Sequence, residues 1–207
     1  MNSGQVFIIE DDEAVRDAMV LLMQSVGLPS SAYPNAQSFL QAGHHEHPAC
    51  LVLDVRMPGM SGLQLAKDPR VRREAWPIIF VTGHGDVPMA VEAMREGAFD
   101  FLQKPFREEE LIQRVQRAIE QDNNDRVAAS EREEIESRLQ DLTPREREIL
   151  DRIVDGQSNK LMAIELGISA RTVELHRSNV MDKMQARSLA HLVRQVLSVT
   201  PANPQSG

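Results

Sequence analysis

Four sets of reactive side chains stand at or directly after the end of short apolar runs in the sequence. They are the triplet Glu10-Asp11-Asp12, then Asp54, Thr82 and Lys104. Clustered carboxylates repel one another, and a cation that neutralises them removes that cost. Oxygen ligands with open positions suit Mg²⁺ together with phosphate oxygens. The set therefore indicates phosphoryl chemistry, with Asp54 as the nucleophile and with Lys104 and Thr82 available to the phosphate oxygens.

The apolar runs alternate with helical patterns along the first 120 residues. The runs typical of strands are Val6–Ile9, Ser31–Tyr33, Cys50–Val55, Ile78–Thr82 and Phe99–Leu102. The helical patterns lie at 13–26, at 36–42, from 62 up to Pro69, at 88–95 and at 108–120. Strict alternation predicts an α/β doubly wound, flavodoxin-like domain with five parallel strands. Its site would lie at the carboxyl ends of the strands, where the reactive side chains fall.

The composition is that of an ordinary globular protein, with 207 residues, 42% hydrophobic and 26% charged. The longest apolar runs are far shorter than the roughly 20 residues of a membrane-spanning helix, and no signal-peptide pattern is visible. The lone Cys50 cannot form an internal disulfide, which fits a reducing compartment. We expect a cytoplasmic protein with no membrane partner. The histidines of the tract 44–47 are expected in a solvated loop rather than a metal site.

Charge divides the chain into two parts. Residues 1–141 carry 14 Lys and Arg against 24 Asp and Glu, a net −10, whereas residues 142–207 carry 9 against 7, a net +2. The mildly basic C-terminal part keeps nucleic-acid binding open. We expect one domain at 4–121, an acidic linker, helical in our prediction, at 122–141, a second domain at 142–200 and a disordered tail at 201–207. Ile135, Leu139 and Leu142 leave a coiled coil in the linker open.

The C-terminal part has the pattern of four helices. Thr143-Pro144-Arg145-Glu146 combines an N-cap, a proline at the first helical position and a capping-box glutamate. Ser158, Ser169 and Ser188 are the expected N-caps of the next three helices. A short turn at Gly167 joins the second and third, which is typical of a helix-turn-helix.

The third of these helices is predicted to have one apolar and one polar face. At 100° per residue, Val173, Val180 and Met184 form a buried stripe. The residues that point outward are Arg171, Glu174, Leu175 and Ser178. Leu175 suits a thymine methyl group, Glu174 can accept from a cytosine amino group, and Ser178 can pair with either partner. The expected phosphate contacts are Asn159, Lys160, Arg171, Thr172 and Arg177.

Both halves of the chain resemble known families. Glu10-Asp11-Asp12 with Arg16, Asp54–Gly62, Thr82–Asp86 and Lys104-Pro105-Phe106 resemble, in order, the receiver domain of two-component response regulators. The segment Thr82–Met94 is similar to that of FixJ-type members. In the C-terminal part, the segments Leu142–Leu150, Asn159-Lys160 and Thr172–Met184 resemble the LuxR-type helix-turn-helix domain.

The resemblance to receivers implies that a sensor histidine kinase phosphorylates Asp54. It implies that Asp11, Asp54 and the backbone carbonyl of Arg56 hold Mg²⁺ directly, with Glu10 acting through a metal-bound water. Asp12 competes with its neighbours for a place in this site. The resemblance assigns Thr82 as the switch hydroxyl, Lys104 as the family lysine and Phe101 as the switch aromatic. The LuxR-type resemblance implies binding to double-stranded DNA as a dimer.

These interpretations predict a response regulator transcription factor that regulates, and is expected to activate, transcription. Phosphorylation is expected to produce a homodimer through a helix face that carries Val91 and Arg95, and RNA polymerase is an expected partner. We expect no turnover of a free substrate, so no enzyme. A magnesium-dependent phosphatase of the haloacid dehalogenase type is the main alternative, although that family places its nucleophile after the first strand. An adaptor that has lost DNA binding is a second alternative, because Glu174 and Leu175 are predicted to point outward and the net charge of the C-terminal part is only +2.

Overall fold

The computed structural model describes residues 4–43, 47–83 and 87–200, with the backbone alone at 87–90. The chain divides into two compact units, Met1–Arg126 and Val127–Gly207. The predicted tail at 201–207, the histidines at 44 and 45 and the segment 84–86 lie outside the described residues.

The first unit contains a sheet of five parallel strands. They are β1 (Gln5–Ile9), β2 (Ser30–Tyr33), β3 (Ala49–Asp54), β4 (Ile78–Thr82) and β5 (Asp100–Gln103). Their order is β2-β1-β3-β4-β5, and every neighbouring pair is parallel. This confirms the predicted doubly wound fold. The order reverses between β1 and β3, so a crevice is expected at the carboxyl ends of these two strands.

Helices lie between the strands and follow the last one. They are α1 (Glu13–Ser25), α2 (Ala36–Ala42), α3 (Gly62–Ala66), α4 (Pro69–Glu74), α5 (Val87–Arg95) and α6 (Glu108–Gln140). The predicted helix before Pro69 is present as α3, but the count of one helix between β3 and β4 is wrong, because a second helix, α4, begins at Pro69. Asp68 caps α4 by accepting from the Arg70 backbone N–H, and Pro69 occupies the first helical position. Proline lacks a backbone N–H, so it starts a helix more readily than it continues one.

The core of the first unit lies on both faces of the sheet. Val6, Ile8 and Val52 pack on one face with residues of α1 and α6, and Phe7 and Leu53 pack on the other with residues of α2 and α4. Cys50 is fully buried in the first of these clusters, and this burial raises the pKa of its thiol. Burial on both sides explains why the strands are nearly continuous apolar runs.

Helix α6 extends well beyond the predicted end at residue 120. It runs without a break to Gln140, so the acidic stretch is helical. No glycine or proline interrupts residues 108–140, and Arg138 pairs with Glu134 one turn before it. The boundary between the two compact units falls inside this helix, at residues 126 and 127.

The second unit adds four helices, α7 (Pro144–Val154), α8 (Asn159–Leu166), α9 (Ala170–Lys183) and α10 (Leu189–Val199). All four predicted N-caps are confirmed, each side chain accepting from a backbone N–H three residues on. Leu139 and Leu142 are buried in the core of this unit, with Ile135 packed against it. These three apolar residues, which had left a coiled coil open, therefore pack against the core of the second unit.

His47 contradicts the expectation of a solvated histidine loop. Its Nδ1 lies 2.9 Å from Asp122 Oδ2, and its Nε2 lies 3.3 Å from Glu74 Oε2. Asp122 is 3% exposed and also accepts from the Ala49 backbone N–H at 2.8 Å. Sequence spacing gave no sign of this contact, because the two partners lie 27 and 75 residues away. Within the described ranges, no helix is both long and apolar enough to cross a membrane.

Candidate functional site

An acidic pocket lies at the carboxyl ends of β1 and β3. Glu10 follows β1, Asp54 is the last residue of β3, and the two strands are hydrogen-bonded neighbours. One carboxylate oxygen from each of Glu10, Asp11 and Asp54 lies within 4.8 Å of the others. Glu10 is 2% exposed and Asp54 6% exposed, while Asp11 is open to solvent. The parallel topology thus gathers three carboxylates with an open side.

One ammonium group faces these carboxylates. Lys104 Nζ lies 2.6 Å from Glu10 Oε2 and 3.4 Å from Asp54 Oδ1. Lys104 follows β5, and its backbone N–H donates to the Thr82 carbonyl at 2.7 Å. Among the ion pairs of the described residues, Lys104 is the group that neutralises Glu10 and Asp54 in part.

Burial sets the electrostatics of the pocket. It raises the pKa of Asp54. The nearby Lys104 ammonium group acts against this shift, and the negative charge of Asp11 adds to it. Burial likewise raises the pKa of Glu10, with the Lys104 hydrogen bond opposing and Asp54 reinforcing the shift. A divalent cation among these oxygens would offset the desolvation and the repulsion together. The donor set of three hard oxygens with an open side fits Mg²⁺.

The switch residues assigned by resemblance lie on the strands next to the pocket. Thr82 is 1% exposed at the end of β4, one residue beyond the partner of Asp54 on that strand. Phe101 is half-buried on β5 and packs against the core beside the sheet. Val91 and Arg95 are both exposed on α5.

The structure distinguishes the roles within the acidic triplet. The Asp12 side chain accepts from the Val15 backbone N–H at 3.1 Å and caps α1. It lies outside the cluster that Glu10 and Asp11 form with Asp54. Arg16 Nη1 donates to the Glu10 carbonyl at 2.9 Å and to the Asp11 carbonyl at 3.4 Å, which holds the acidic loop in place.

Gly62 is a site residue that sequence reasoning noted only as part of a loop. A Cβ at this position would lie 2.2 Å from the Asp54 carbonyl oxygen. The Gly62 backbone N–H donates to the Val55 carbonyl at 3.0 Å. The loop after β3 can therefore pack against Asp54 only with glycine here. The available signal was the glycine itself, at the start of α3.

The second unit presents a polar helix face. Val173 and Val180 on α9, and Met184 directly after it, are fully buried, as predicted. The residues predicted to point outward, Arg171, Glu174, Leu175 and Ser178, are all exposed, Leu175 by 61%. Of the predicted phosphate contacts, Lys160 is exposed while Asn159, Thr172 and Arg177 are partly covered. Thr172 also lies 2.8 Å from the capping Ser169 hydroxyl.

An ion pair between the buried Glu146 and the exposed Lys183 joins the end of α9 to the start of α7. Lys183 Nζ lies 2.7 Å from Glu146 Oε2, and Glu146 completes the capping box by accepting from the Thr143 backbone N–H. The Lys183 hydrogen bond, with the Thr143 backbone N–H, lowers the pKa of Glu146 to about 2. Sequence reasoning identified the cap but missed the lysine, which lies 37 residues away.

Comparison with known proteins assigns both units. The family model for the response regulator receiver domain matches residues 6–116, and the model for the luxR family of bacterial regulatory proteins matches residues 140–196. This chain belongs to the FixJ-type response regulators. Transcriptional regulatory protein FixJ of Bradyrhizobium diazoefficiens is 44% identical over 191 residues, covering 92% of this chain and 93% of the relative.

Other relatives support the same family. FixJ of Azorhizobium caulinodans is 45% identical, covering 96% of this chain and 95% of the relative. Among solved structures, the response regulator StyR matches with a TM-score of 0.82 at 39% identity, covering 94% of this chain and 98% of that one. Full-length FixJ from B. japonicum matches with a TM-score of 0.60 at 43% identity, covering 95% and 97%. Receiver domains of this family bind Mg²⁺ at an acidic pocket, and the LuxR-type domain implies DNA binding.

Proposed function

We propose that a partner sensor histidine kinase phosphorylates this response regulator on Asp54. The phosphorylated protein then dimerises and regulates transcription, as an activator. The observation that supports this best is the buried Asp54 carboxylate, which shares its pocket with Glu10, Asp11 and the Lys104 ammonium group.

In the proposed reaction an Asp54 carboxylate oxygen attacks the phosphorus of a phosphohistidine, and the imidazole leaves with the bonding electron pair. Asp11, Asp54 and the Arg56 backbone carbonyl would hold Mg²⁺, with Glu10 acting through a bound water. The ion supplies charge neutralisation for the transferred phosphoryl group. Lys104, already 3.4 Å from Asp54, is placed to pair with a phosphoryl oxygen.

The phosphoryl group is proposed to act through the strands beside it. Thr82 would donate its hydroxyl to a phosphoryl oxygen, and Phe101 would turn into the space that Thr82 leaves. Both changes fall next to α5, whose exposed Val91 and Arg95 offer an apolar contact beside a charge. We propose that this face meets the same face of a second copy, as a population shift toward the dimer-competent state.

The second unit is proposed to place α9 in the major groove. Glu174, Leu175 and Ser178 would read base edges, which specifies sequence. The phosphate contacts that position the domain would come from Asn159, Lys160, Arg171, Thr172 and Arg177. With a net charge of +2 in this part, one domain would bind non-specific DNA weakly, so two tethered domains on two half-sites gain from high effective concentration.

The protein would act in the cytoplasm with RNA polymerase as a further partner, and it would turn over no free substrate. The phosphatase alternative is set aside, because family models match both parts of the chain and Asp54 ends β3 rather than β1. The match of residues 140–196 to the luxR family supports DNA binding over the adaptor alternative, which the outward Glu174 and Leu175 had left open.

Phosphate incorporation from acetyl phosphate in Mg²⁺ tests the acceptor. We expect Asp54→Asn to abolish acid-labile labelling, because it removes the nucleophile. Asp12→Asn should only weaken labelling, since asparagine preserves the cap on α1. Asp11→Asn should lower the affinity for Mg²⁺ by removing a direct ligand. Labelling that persists in Asp54→Asn would contradict the assignment.

A further inference from the structure

A polar cleft of about 440 Å³ opens between α6 and α10 within the second unit. It is of the size that small-molecule sites have in proteins. One wall, on α6, carries Glu131, Glu134 and Arg138, and the other, formed by α10 and the turn before it, carries Arg187 and Arg194. Groups of opposite charge thus border one space.

The charges that border the cleft are only partly paired. Glu134 pairs with Arg138 on its own helix at 2.9 Å. Glu131, Arg187 and Arg194 form no ion pair with any residue that the structure describes. The cleft therefore offers one free carboxylate and two free guanidinium groups.

Two further side chains of the cleft, His191 and Gln195, add a hydrogen-bond donor and a hydrogen-bond acceptor. His191 Nδ1 accepts from the Arg187 backbone N–H at 3.2 Å, so the neutral ring carries its proton on Nε2 as a donor. Gln195 is 8% exposed, and its side-chain oxygen has no hydrogen-bond partner in the described part of the chain. A buried polar atom without a partner is costly, so a donor that reached this oxygen would remove that cost.

We propose that the α6–α10 cleft binds a free α-amino acid. Its carboxylate would lie against Arg187, Arg194 and the Nε2–H of His191. Its ammonium group would donate to Glu131 and to the Gln195 oxygen. A simple anion would face Glu131 and leave Gln195 without a donor, and a simple cation would face two guanidinium groups. Only a ligand with both charges matches both walls.

Calorimetric titration of the full chain tests this site without phosphodonor or DNA. The probes are the twenty L-amino acids, with acetate, methylammonium and inorganic phosphate as ligands that carry one charge. We expect at least one amino acid to bind saturably at one per chain, and acetate and methylammonium to bind far more weakly. Deuterium exchange of residues 131–140 should slow in the same complex, because the ligand would bridge α6 to α10.

Two variants separate a binding role from a structural one. Arg194→Gln should weaken binding by about tenfold or more, because it removes a charge-assisted hydrogen bond. The exposed Arg132→Gln on α6 is the matched control and should bind as the parent does. Gln195→Leu should lose binding without loss of thermal stability, since the unliganded protein makes no hydrogen bond with that oxygen.

Three results would overturn the proposal. One is that no amino acid binds. Another is that acetate or phosphate binds as tightly as any amino acid, which would make this an anion site only. The third is that Arg194→Gln binds as the parent does.

Discussion

At the scale of single residues, Asp54 and Glu10 are carboxylates buried where ionisation is costly. Burial raises the pKa of each, and Lys104 offsets this only in part. The same burial that makes these carboxylates costly to ionise favours the binding of a divalent cation and a phosphoryl group. Burial of these carboxylates thus lowers the stability of the folded domain at the site of the proposed phosphorylation.

The pH dependence of receiver stability follows from these two pKa values. Both pKa values are raised, so above the ordinary values of 3.8 and 4.5 the folded protein still holds protons that the unfolded chain has released. The free energy of unfolding therefore falls as the pH rises through the raised pKa values. Fluorescence of the single tryptophan, the buried Trp76, reports this unfolding. We expect the free energy of unfolding to fall with rising pH in the absence of Mg²⁺, and to fall less at saturating Mg²⁺.

Variants identify the source of that dependence. Asp54→Asn should flatten the fall, because one of the two titrating groups is gone. Asp17→Asn, at an exposed position on α1, is the control and should keep the parental curve. A parental curve that is flat, or one that Asp54→Asn leaves unchanged, would contradict this electrostatic description of the pocket.

At the scale of elements, the Glu146–Lys183 pair joins the start of α7 to the end of α9. The folded pKa of Glu146 is lowered to about 2 from 4.5, so its contribution to stability is complete above 4.5 and is lost as pH falls toward 2. Glu146→Gln should lower the thermal midpoint of the C-terminal helices near neutral pH and have less effect near pH 2. Helical circular dichroism measures this, with Asp151→Asn, at an exposed position on α7, as control. An equal loss at both pH values would show that the charge is not what matters.

The exposed face of α9 predicts two kinds of DNA-binding defect. Glu174→Gln should change the preferred base at one position, at a cost of about 1–3 kcal/mol for the original base. Lys160→Gln should weaken binding to all sequences and reduce the salt slope by about 1. Selection from random DNA pools and titration at several salt concentrations measure these effects, with Glu136→Gln and Arg132→Gln on α6 as charge-matched controls. Identical selected sites and salt slopes for the Glu174 and Lys160 variants would contradict the assignment.

Sequence patterns predicted the strands, the N-caps and the buried stripe of α9, because each depends on local periodicity or on one capping residue. They also placed Glu10, Asp54 and Lys104 at one edge, since parallel strands end together. They missed contacts between residues distant in sequence, such as Glu146 with Lys183 and His47 with Asp122. Such partners share no local pattern, and only packing brings them together.

At the scale of the whole molecule, the account links a phosphoryl group on Asp54 to DNA binding through dimerisation. The receiver alone carries the acceptor, and the second unit alone carries the α9 face. The proposed link is the α5 surface, where Val91 is 47% exposed although it is apolar. A second copy on this surface would bury that side chain and bring two DNA-binding units together.

Sedimentation of the full chain in Mg²⁺, with and without beryllofluoride as a phosphoryl mimic, tests this claim most directly. The account predicts that the parent shifts from monomer to dimer on addition of beryllofluoride. It predicts that Val91→Asp stays monomeric, because the new carboxylate would be buried in the interface. Leu21→Asp, which changes an exposed leucine on α1, should dimerise as the parent does. A parent whose sedimentation beryllofluoride leaves unchanged, or a Val91→Asp variant that dimerises fully, would contradict the account.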